Sequence, residues 1–188
     1  QQLSAERPGQ KLAKLNHANV VAVYDVVEDA DGLYLVMERI EGGDLRAWLA
    51  QPRRWREVVA LFVQLGHGLA AAHALGITHC DVKPENVVVS GDRPRLIDFG
   101  LARKPSDGPS HAGTRAYLAP ERAAGGGGSP AADQYAFFAS LVEAIEGARP
   151  TSAGRWQRMP AWLERVCRRG LDPDPARRFP DMPAAIAA

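Results

Sequence analysis

Cysteine is scarce in this sequence, which has only Cys80 and Cys167 among its 188 residues. Two cysteines cannot build a disulfide framework, and neither lies among residues at the spacing of zinc ligands. This scarcity excludes a small secreted scaffold held together by disulfides. We interpret both thiols as reduced, which favours a cytoplasmic protein.

Net charge and long apolar runs are also lacking. With 23 basic and 22 acidic residues the formal net charge is +1, so no broad field would attract nucleic acid or a membrane surface. Apolar runs such as residues 135–142 are too short to cross a bilayer, and we expect neither a signal peptide nor a membrane segment in this chain. A small basic cluster, Arg53, Arg54 and Arg56, is interpreted as the solvated face of a helix.

What the sequence does contain begins with β-rich patterns. Residues 21–40 hold two β-rich runs joined by a turn at residues 29–32, which predicts a hairpin. Residues 87–99 predict a second hairpin, with its turn at residues 91–94. Between the two, Asp44 follows a pair of glycines and is a predicted helix N-cap.

Helical patterns fill most of the remaining sequence. Apolar residues recur at helical spacing over residues 56–75, and Gly76 is placed to end that helix. Residues 133–147 are nearly all apolar, which predicts a helix buried on most sides. Residues 162–170 and 182–188 predict a last pair of helices. The expected architecture is one domain with a small β portion followed by a mostly helical one.

Polar residues with catalytic potential cluster in "HCDVKPENVVV", residues 79–89. Asp81, Lys83 and Asn86 lie on the predicted loop between the long helix and the second hairpin, and Asp98 in "IDFG" lies at the end of that hairpin. Asn86 and Asp98 offer oxygen ligands suited to Mg²⁺, which prefers one or two carboxylates together with substrate phosphates. Asp81 is then available to accept a proton, and Lys83 to neutralise charge on a transferring group.

Three motifs in this order carry a family resemblance: "HCDVKPEN", "IDFG" and, at residues 113–121, "GTRAYLAPE". They resemble the catalytic loop, the metal-binding loop and the end of the activation segment of a eukaryotic-type, bacterial-like serine/threonine protein kinase domain. The resemblance implies an α+β protein-kinase-like fold, with residues 1–40 as a partial N-lobe and residues 41–188 as the C-lobe. It also implies transfer of the γ-phosphate of ATP, with Mg²⁺, to a serine or threonine hydroxyl of a protein substrate.

The resemblance assigns catalytic roles to the polar cluster. Asp81 would position or deprotonate the acceptor hydroxyl, and Lys83 would balance charge on the γ-phosphate. Asn86 and Asp98 would hold Mg²⁺. Asp133 would hydrogen-bond the catalytic-loop backbone from within the buried helix.

The segment "LVMERIEGGDL", residues 35–45, resembles the hinge that binds adenine. Met37 would be the gatekeeper, and the backbone at Glu38 and Ile40 would pair with the base. Val88 would form the floor of the nucleotide slot. The resemblance further implies a structural ion pair between Glu121 and Arg178 and an apolar spine formed by Leu12, Val23, His79 and Phe99.

The sequence departs from the family pattern in its first residues. A Gly-rich phosphate loop and a V-A-I-K-type lysine are absent from these 188 residues, and Pro8 stands where the helix glutamate that pairs with that lysine is expected. We therefore expect the 188 residues alone to transfer phosphate slowly or not at all, and a full-length protein to supply the missing lobe or further domains. The alternative is a catalytically impaired, kinase-like module that binds or regulates.

Overall fold

The structure is a computed structural model that describes residues 12–29, 32–99, 114–150 and 156–188. It confirms the α+β class, because two small antiparallel sheets accompany a larger set of helices. The first sheet is a hairpin of β1 (Val23–Asp29) and β2 (Gly32–Met37), in which Asp29 is paired with Gly32. The predicted first hairpin is thereby confirmed, although residues 30 and 31 of its turn lie outside the described ranges.

A short strand and two helices follow the hinge segment. Strand β3 (Gly43–Asp44) leads directly into α1 (Leu45–Leu49). The Asp44 carboxylate accepts a hydrogen bond from the Ala47 N–H at 2.7 Å, which confirms Asp44 as the N-cap. Helix α2 (Trp55–Ala74) covers the predicted helix and ends where Gly76 takes a left-handed conformation at φ 69°.

The second hairpin consists of β4 (Val87–Ser90) and β5 (Arg93–Leu96), which join β3 in a sheet of order β3-β4-β5. The predicted turn at residues 91–94 was two residues too long. Gly91, at φ 61°, closes a turn of only two residues, so Pro94 lies in β5 opposite Val89. Its carbonyl accepts a hydrogen bond from Asn19 Nδ2 at 2.9 Å.

The sheet of β3, β4 and β5 also fixes the chain that enters the first hairpin. Val20 forms a parallel bridge with Leu96. The Val21 N–H donates to the Leu96 carbonyl at 2.9 Å, and the Leu96 N–H donates to the Asn19 carbonyl at 2.9 Å. These bonds tie the hairpin of β1 and β2 to the strand that leads to Asp98.

The C-terminal half is helical, as predicted. Its longest helix, Pro130–Glu146, has eleven buried residues among seventeen, which confirms a helix enclosed on most sides. The Ser129 side chain caps its start by accepting from the Ala132 N–H at 3.1 Å, and Gly147 ends it at φ 73°. The helices are α3 (Pro120–Ala123), α4 (Pro130–Glu146), α5 (Ala161–Gly170) and α6 (Met182–Ala187), with short 3₁₀ turns at Pro84–Asn86, Thr114–Tyr117 and Pro175–Arg177.

Helix α2 packs in the centre of this half. By length and composition alone it could cross a membrane, but its apolar face is buried against its neighbours, with Leu65 2% and Leu69 0% exposed. Phe62 on α2 contacts Phe137 on α4 edge to face, with ring centroids 5.4 Å apart. The burial assigns α2 to the core of the domain, where it supports the loop that begins at residue 77.

Candidate active site

A buried aspartate on α4 holds the backbone of the candidate catalytic loop. One oxygen of Asp133 accepts from the His79 N–H at 2.7 Å, and the other accepts from the Cys80 N–H at 2.8 Å. His73 Nε2 lies 2.9 Å from the same carboxylate. The predicted role of Asp133 is thus confirmed by its contacts. It holds the loop backbone at residues 79 and 80, directly before Asp81.

Backbone strain is concentrated at this site. Among the residues that the structure describes, Cys80 (φ 67°) and Asp98 (φ 56°) are the two non-glycine residues with a positive φ. Such conformations cost free energy and persist where surrounding contacts enforce them. Cys80 is held in this conformation by the hydrogen bond from its N–H to Asp133, directly before Asp81 in the chain.

His79 is a packed core residue and not a candidate base. It is fully buried, its Nε2 donates to the Ile97 carbonyl at 2.9 Å, and its Nδ1 accepts from the Asp81 N–H at 3.3 Å. Burial lowers the pKa of His79, although the carboxylates of Asp133, Asp81 and Asp98 oppose that shift. The neutral ring packs against Phe99 in a tilted arrangement with centroids 4.5 Å apart, so two of the four predicted spine residues are in contact.

Three predicted site residues meet above His79. Asp81 Oδ2 accepts from Lys83 Nζ at 2.7 Å and from Asn86 Nδ2 at 3.1 Å. Asn86 Nδ2 also donates to the Asp81 carbonyl at 2.8 Å. These bonds draw the acid, the cation and the amide into one group, with each side chain oriented by another member.

Asp98 is connected to this group through the backbone. The Ile97 N–H donates to the Asn86 carbonyl at 3.0 Å, so the residue before Asp98 is bonded to the residue that carries the amide. The Asp98 side chain is exposed, whereas Asn86 is buried with 6% exposure. The carboxylates of Asp81 and Asp98 both act to raise the pKa of His79, against the larger effect of its burial.

The donor set fits Mg²⁺ bound together with phosphates. Within the described ranges, no group of three or more His, Cys, Asp or Glu side chains could hold a metal by itself. Asn86 and Asp98 offer one amide oxygen and one carboxylate, and Mg²⁺ is usually held by one or two such ligands plus substrate phosphates and water. The chemistry of the residues present therefore suits a metal that arrives with a nucleotide.

The predicted nucleotide-binding residues lie at the end of β2, directly after it and in β4. Met37 ends β2 and is 36% exposed. The Glu38 N–H already donates to the Ala22 carbonyl at 2.9 Å, so the group that Glu38 can offer to a base is its carbonyl oxygen. Val88 is half-buried in β4 opposite Asp44, beside the end of the hinge that includes Ile40.

A buried ion pair locks the segment after the candidate substrate-binding region. Arg178 donates to both oxygens of Glu121, at 2.7 and 2.8 Å, and its guanidinium is fully buried. The hydrogen bonds from Arg178 hold the pKa of Glu121 below its ordinary value, against the opposing effect of burial. The pair predicted from the family resemblance is confirmed.

A second charged network was missed by the sequence analysis. Arg46 on α1 contacts Glu85 beside the catalytic loop, donates to the Tyr117 hydroxyl at 2.7 Å and lies 3.4 Å from a Glu143 oxygen. The Tyr117 hydroxyl in turn donates to Glu143. Burial, followed by the hydrogen bond to Glu143, raises the pKa of Tyr117. No local spacing pattern signals these contacts, because the partners are distant in sequence.

Comparisons with known proteins agree with this geometry. The protein kinase domain family model matches residues 3–172. The serine/threonine-protein kinase PknL of Mycobacterium tuberculosis is 41% identical over 147 residues, which cover 74% of this chain and 37% of the relative. PkaB of Streptomyces coelicolor, also a serine/threonine-protein kinase, is 41% identical over 160 residues, with 76% and 38% covered.

A solved structure is similar over nearly the whole chain. The crystal structure of the Mycobacterium tuberculosis PknI kinase domain aligns with a TM-score of 0.78 and 31% identity, covering 95% of this chain and 73% of that one. The chain spans well under half of the length of the curated relatives PknL and PkaB. Pro8, where the helix glutamate was expected, lies outside the described residues. On the family match, the fold and the arrangement of its polar loop, the chain belongs to the protein kinase domain family and resembles its bacterial serine/threonine members.

Proposed function

We propose that this chain is the catalytic part of a protein kinase that transfers the γ-phosphate of ATP to serine or threonine hydroxyls of protein substrates. One observation carries the proposal: Asp81, Lys83 and Asn86 are hydrogen-bonded to one another on a loop that buried Asp133 holds in a strained conformation. A scaffold needs no such convergence of an acid, a cation and an amide. Catalysis of phosphoryl transfer depends on positioned charges of this kind.

The hydrogen bonds within the polar loop determine which oxygen of Asp81 can accept a proton. Asp81 Oδ2 receives Lys83 and Asn86, so we assign Asp81 Oδ1 as the acceptor of the substrate hydroxyl proton. The hydroxyl oxygen bonds to the γ-phosphorus while the bond from that phosphorus to the β–γ bridging oxygen breaks, and ADP leaves. Lys83 Nζ is placed beside Asp81 to offset negative charge on the transferring group.

Asn86 Oδ1 and the Asp98 carboxylate are the assigned Mg²⁺ ligands, and the ion would neutralise charge on the nucleotide phosphates. Because Asn86 Nδ2 is committed to Asp81, its amide orientation leaves Oδ1 as the ligand atom. The carbonyl of Glu38 and the backbone of Ile40 are assigned to adenine, with Met37 as the gatekeeper and Val88 as the floor of the nucleotide slot. Free Cys80 and Cys167 support a reducing, cytoplasmic location.

A transfer assay on the complete natural protein tests the proposal. We expect incorporation of γ-phosphate from ATP and Mg²⁺ into a generic protein such as casein, and losses of at least about a hundredfold in Asp81→Asn and Asp98→Ala. Asp92→Ala, which removes an exposed acid at the tip of the second hairpin, is the matched control and should retain the rate. Equal signal from wild type and Asp98→Ala, or no transfer by folded wild type, would favour the non-catalytic, kinase-like module instead.

A further inference from the structure

A groove lined by several arginines lies beside the loop that carries Asp81. It has a volume of about 940 Å³ and lies between the end of α1, the start of α2 and the end of α4. We call it the arginine groove; five arginines and one glutamate line it, namely Arg46, Arg53, Arg54, Arg56, Arg158 and Glu143. The groove joins the sequence cluster at residues 53–56 to Arg46 on the preceding helix and to Arg158, which is distant in sequence. The solvated face of a single helix does not account for this grouping.

Of the groove arginines, Arg46 is paired with carboxylates of the described residues and the others are not. Arg46 pairs with Glu85 and Glu143, so the acid in the lining is already engaged. The nearby carboxylates of Glu57 and Glu146 accept from backbone N–H groups, including those of Arg54 and Arg158 at 2.8 and 2.9 Å. In the part of the chain that the structure describes, the exposed guanidinium groups of Arg53, Arg54, Arg56 and Arg158 have no carboxylate at ion-pair distance.

Two of these guanidinium groups are oriented by tryptophans. Arg53 lies 4.2 Å from the ring centroid of Trp48 and donates from Nε to the Trp48 carbonyl at 3.2 Å. Arg56 lies 4.3 Å from the ring centroid of Trp55. Such contacts restrict the guanidinium while leaving N–H groups available at its edge. Restricted arginine forks suit phosphate, which carries two charges and can accept from more than one guanidinium.

Arg46 connects the groove to the candidate catalytic loop. It contacts Glu85, which follows Lys83 by two residues, and it lies 3.4 Å from Glu143 in the groove wall. Through Arg46, one end of the groove is in contact with the loop that carries Asp81, to which the acceptor hydroxyl is assigned.

We propose that the arginine groove binds a phosphorylated segment of the protein substrate, so that a chain already phosphorylated near the acceptor is bound in preference to an unmodified one. The identity of that chain as a substrate rests on the proposed function. The binding itself does not, because it needs only the charge and shape of the groove.

Fluorescence anisotropy on the complete protein tests the inference without any transfer step. The probe is a short labelled peptide that has a threonine acceptor and two neighbouring phosphothreonines. Two comparison peptides replace the phosphothreonines with threonine or with glutamate. We expect the phosphopeptide to bind at least about tenfold more tightly than the threonine peptide.

A pair of variants identifies the surface responsible. Arg56→Gln with Arg158→Gln removes two charges from the groove, and we expect Kd for the phosphopeptide to rise at least about tenfold. Arg93→Gln with Arg165→Gln removes two exposed charges outside the groove and should change Kd less than about twofold. Unchanged melting temperatures would show that both double variants remain folded.

Each outcome decides the inference. Equal affinity for phosphorylated and threonine peptides, or an equal loss in both double variants, would overturn it. A glutamate peptide that binds as tightly as the phosphopeptide would overturn the phosphate assignment and make the groove a carboxylate site. Groove-dependent binding in a protein that transfers no phosphate would overturn the proposed function and leave the groove assignment standing.

Discussion

At the scale of single residues, Asp133 is the structural centre of the candidate site. It is 1% exposed and bonds to the His79 N–H, the Cys80 N–H and the His73 ring. A buried carboxylate is stable only when such donors replace its water. It also satisfies two backbone N–H groups of a loop in which Cys80 adopts a left-handed conformation, and these bonds offset the strain of that conformation.

Asp133→Asn tests this role at nearly constant volume. The amide nitrogen of asparagine would face one of the two backbone donors, leaving that N–H unsatisfied in the interior. We expect the free energy of unfolding to fall by about 2–4 kcal/mol in urea titrations. The exposed Asp92→Asn variant is the control and should lie within about 0.5 kcal/mol of wild type; the same small change in Asp133→Asn would show that the carboxylate does not hold the loop.

The residues that sequence reasoning found are those that recur at set positions of a motif. Asp133 and the pair Glu121–Arg178 were predicted because the family resemblance supplies their partners. Arg46 was not, because its contacts join residues 39, 71 and 97 positions apart in the chain. The sequence has 23 basic residues, and nothing in the residues around Arg46 distinguishes it from an arginine that only contacts solvent.

At the scale of elements, the packing of α5 against α4 depends on a glycine. Gly170 is the last residue of α5, and a Cβ at that position would lie 1.8 Å from Phe138 Cδ2 and within 2.4 Å of two further ring atoms. Phe138 has little room to move, because it is 2% exposed and contacts Phe137 and Phe179. The separation of the two helices at this point is thus set by the absence of a side chain.

Gly170→Ala should therefore destabilise the domain although alanine favours helices. We expect a loss of at least about 2 kcal/mol in the free energy of unfolding, from displacement of the Phe138 ring or of α5. Gly127→Ala is the matched control, since a Cβ there has no atom within 4 Å, and it should change stability by less than about 0.5 kcal/mol. Equal melting temperatures for the two variants would contradict the close packing.

The long helices were easier to predict from the sequence than the turn that connects two strands. Helix α2 follows from apolar periodicity and helix α4 from a nearly continuous apolar segment, and Gly76 and Gly147 follow their last residues in left-handed conformations. The turn of the second hairpin was misjudged because Pro94 usually marks a turn. It lies instead in β5, where its carbonyl bonds to Asn19, a contact that only the folded chain supplies.

At the scale of the whole molecule, Arg178 joins segments that are far apart in the chain. Its buried guanidinium bonds to Glu121 on α3, to the Ala131 carbonyl at the start of α4 at 2.8 Å and to the Asp172 carbonyl at 2.8 Å. The region after the candidate activation segment is thereby fixed to the C-terminal helices. Because Arg178 is fully buried, its charge requires the Glu121 carboxylate.

The pH dependence of stability measures that requirement. The pKa of Glu121 is held below its ordinary 4.5 by Arg178, so near and below that pH the unfolded chain binds more protons than the folded one. The contribution of the pair is therefore complete above pH 4.5 and is lost as the pH falls through the lower pKa of the folded state. We expect Glu121→Gln to be less stable than wild type by about 1–3 kcal/mol at pH 7.

That difference should shrink in urea titrations as the pH falls from 7 towards 3.5, because protonation makes the wild-type side chain resemble the neutral variant. Glu41→Gln, an exposed substitution beside the hinge, controls for the loss of one negative charge and should track wild type at every pH. A gap between Glu121→Gln and wild type that stayed constant with pH would mean that shape and hydrogen bonding, and not charge, hold Arg178 in the interior. If the difference in stability disappears at low pH, the negative charge of Glu121 is what holds the end of the activation segment to Arg178. This attachment would then depend on pH, in a fold whose other interior contacts are mostly apolar.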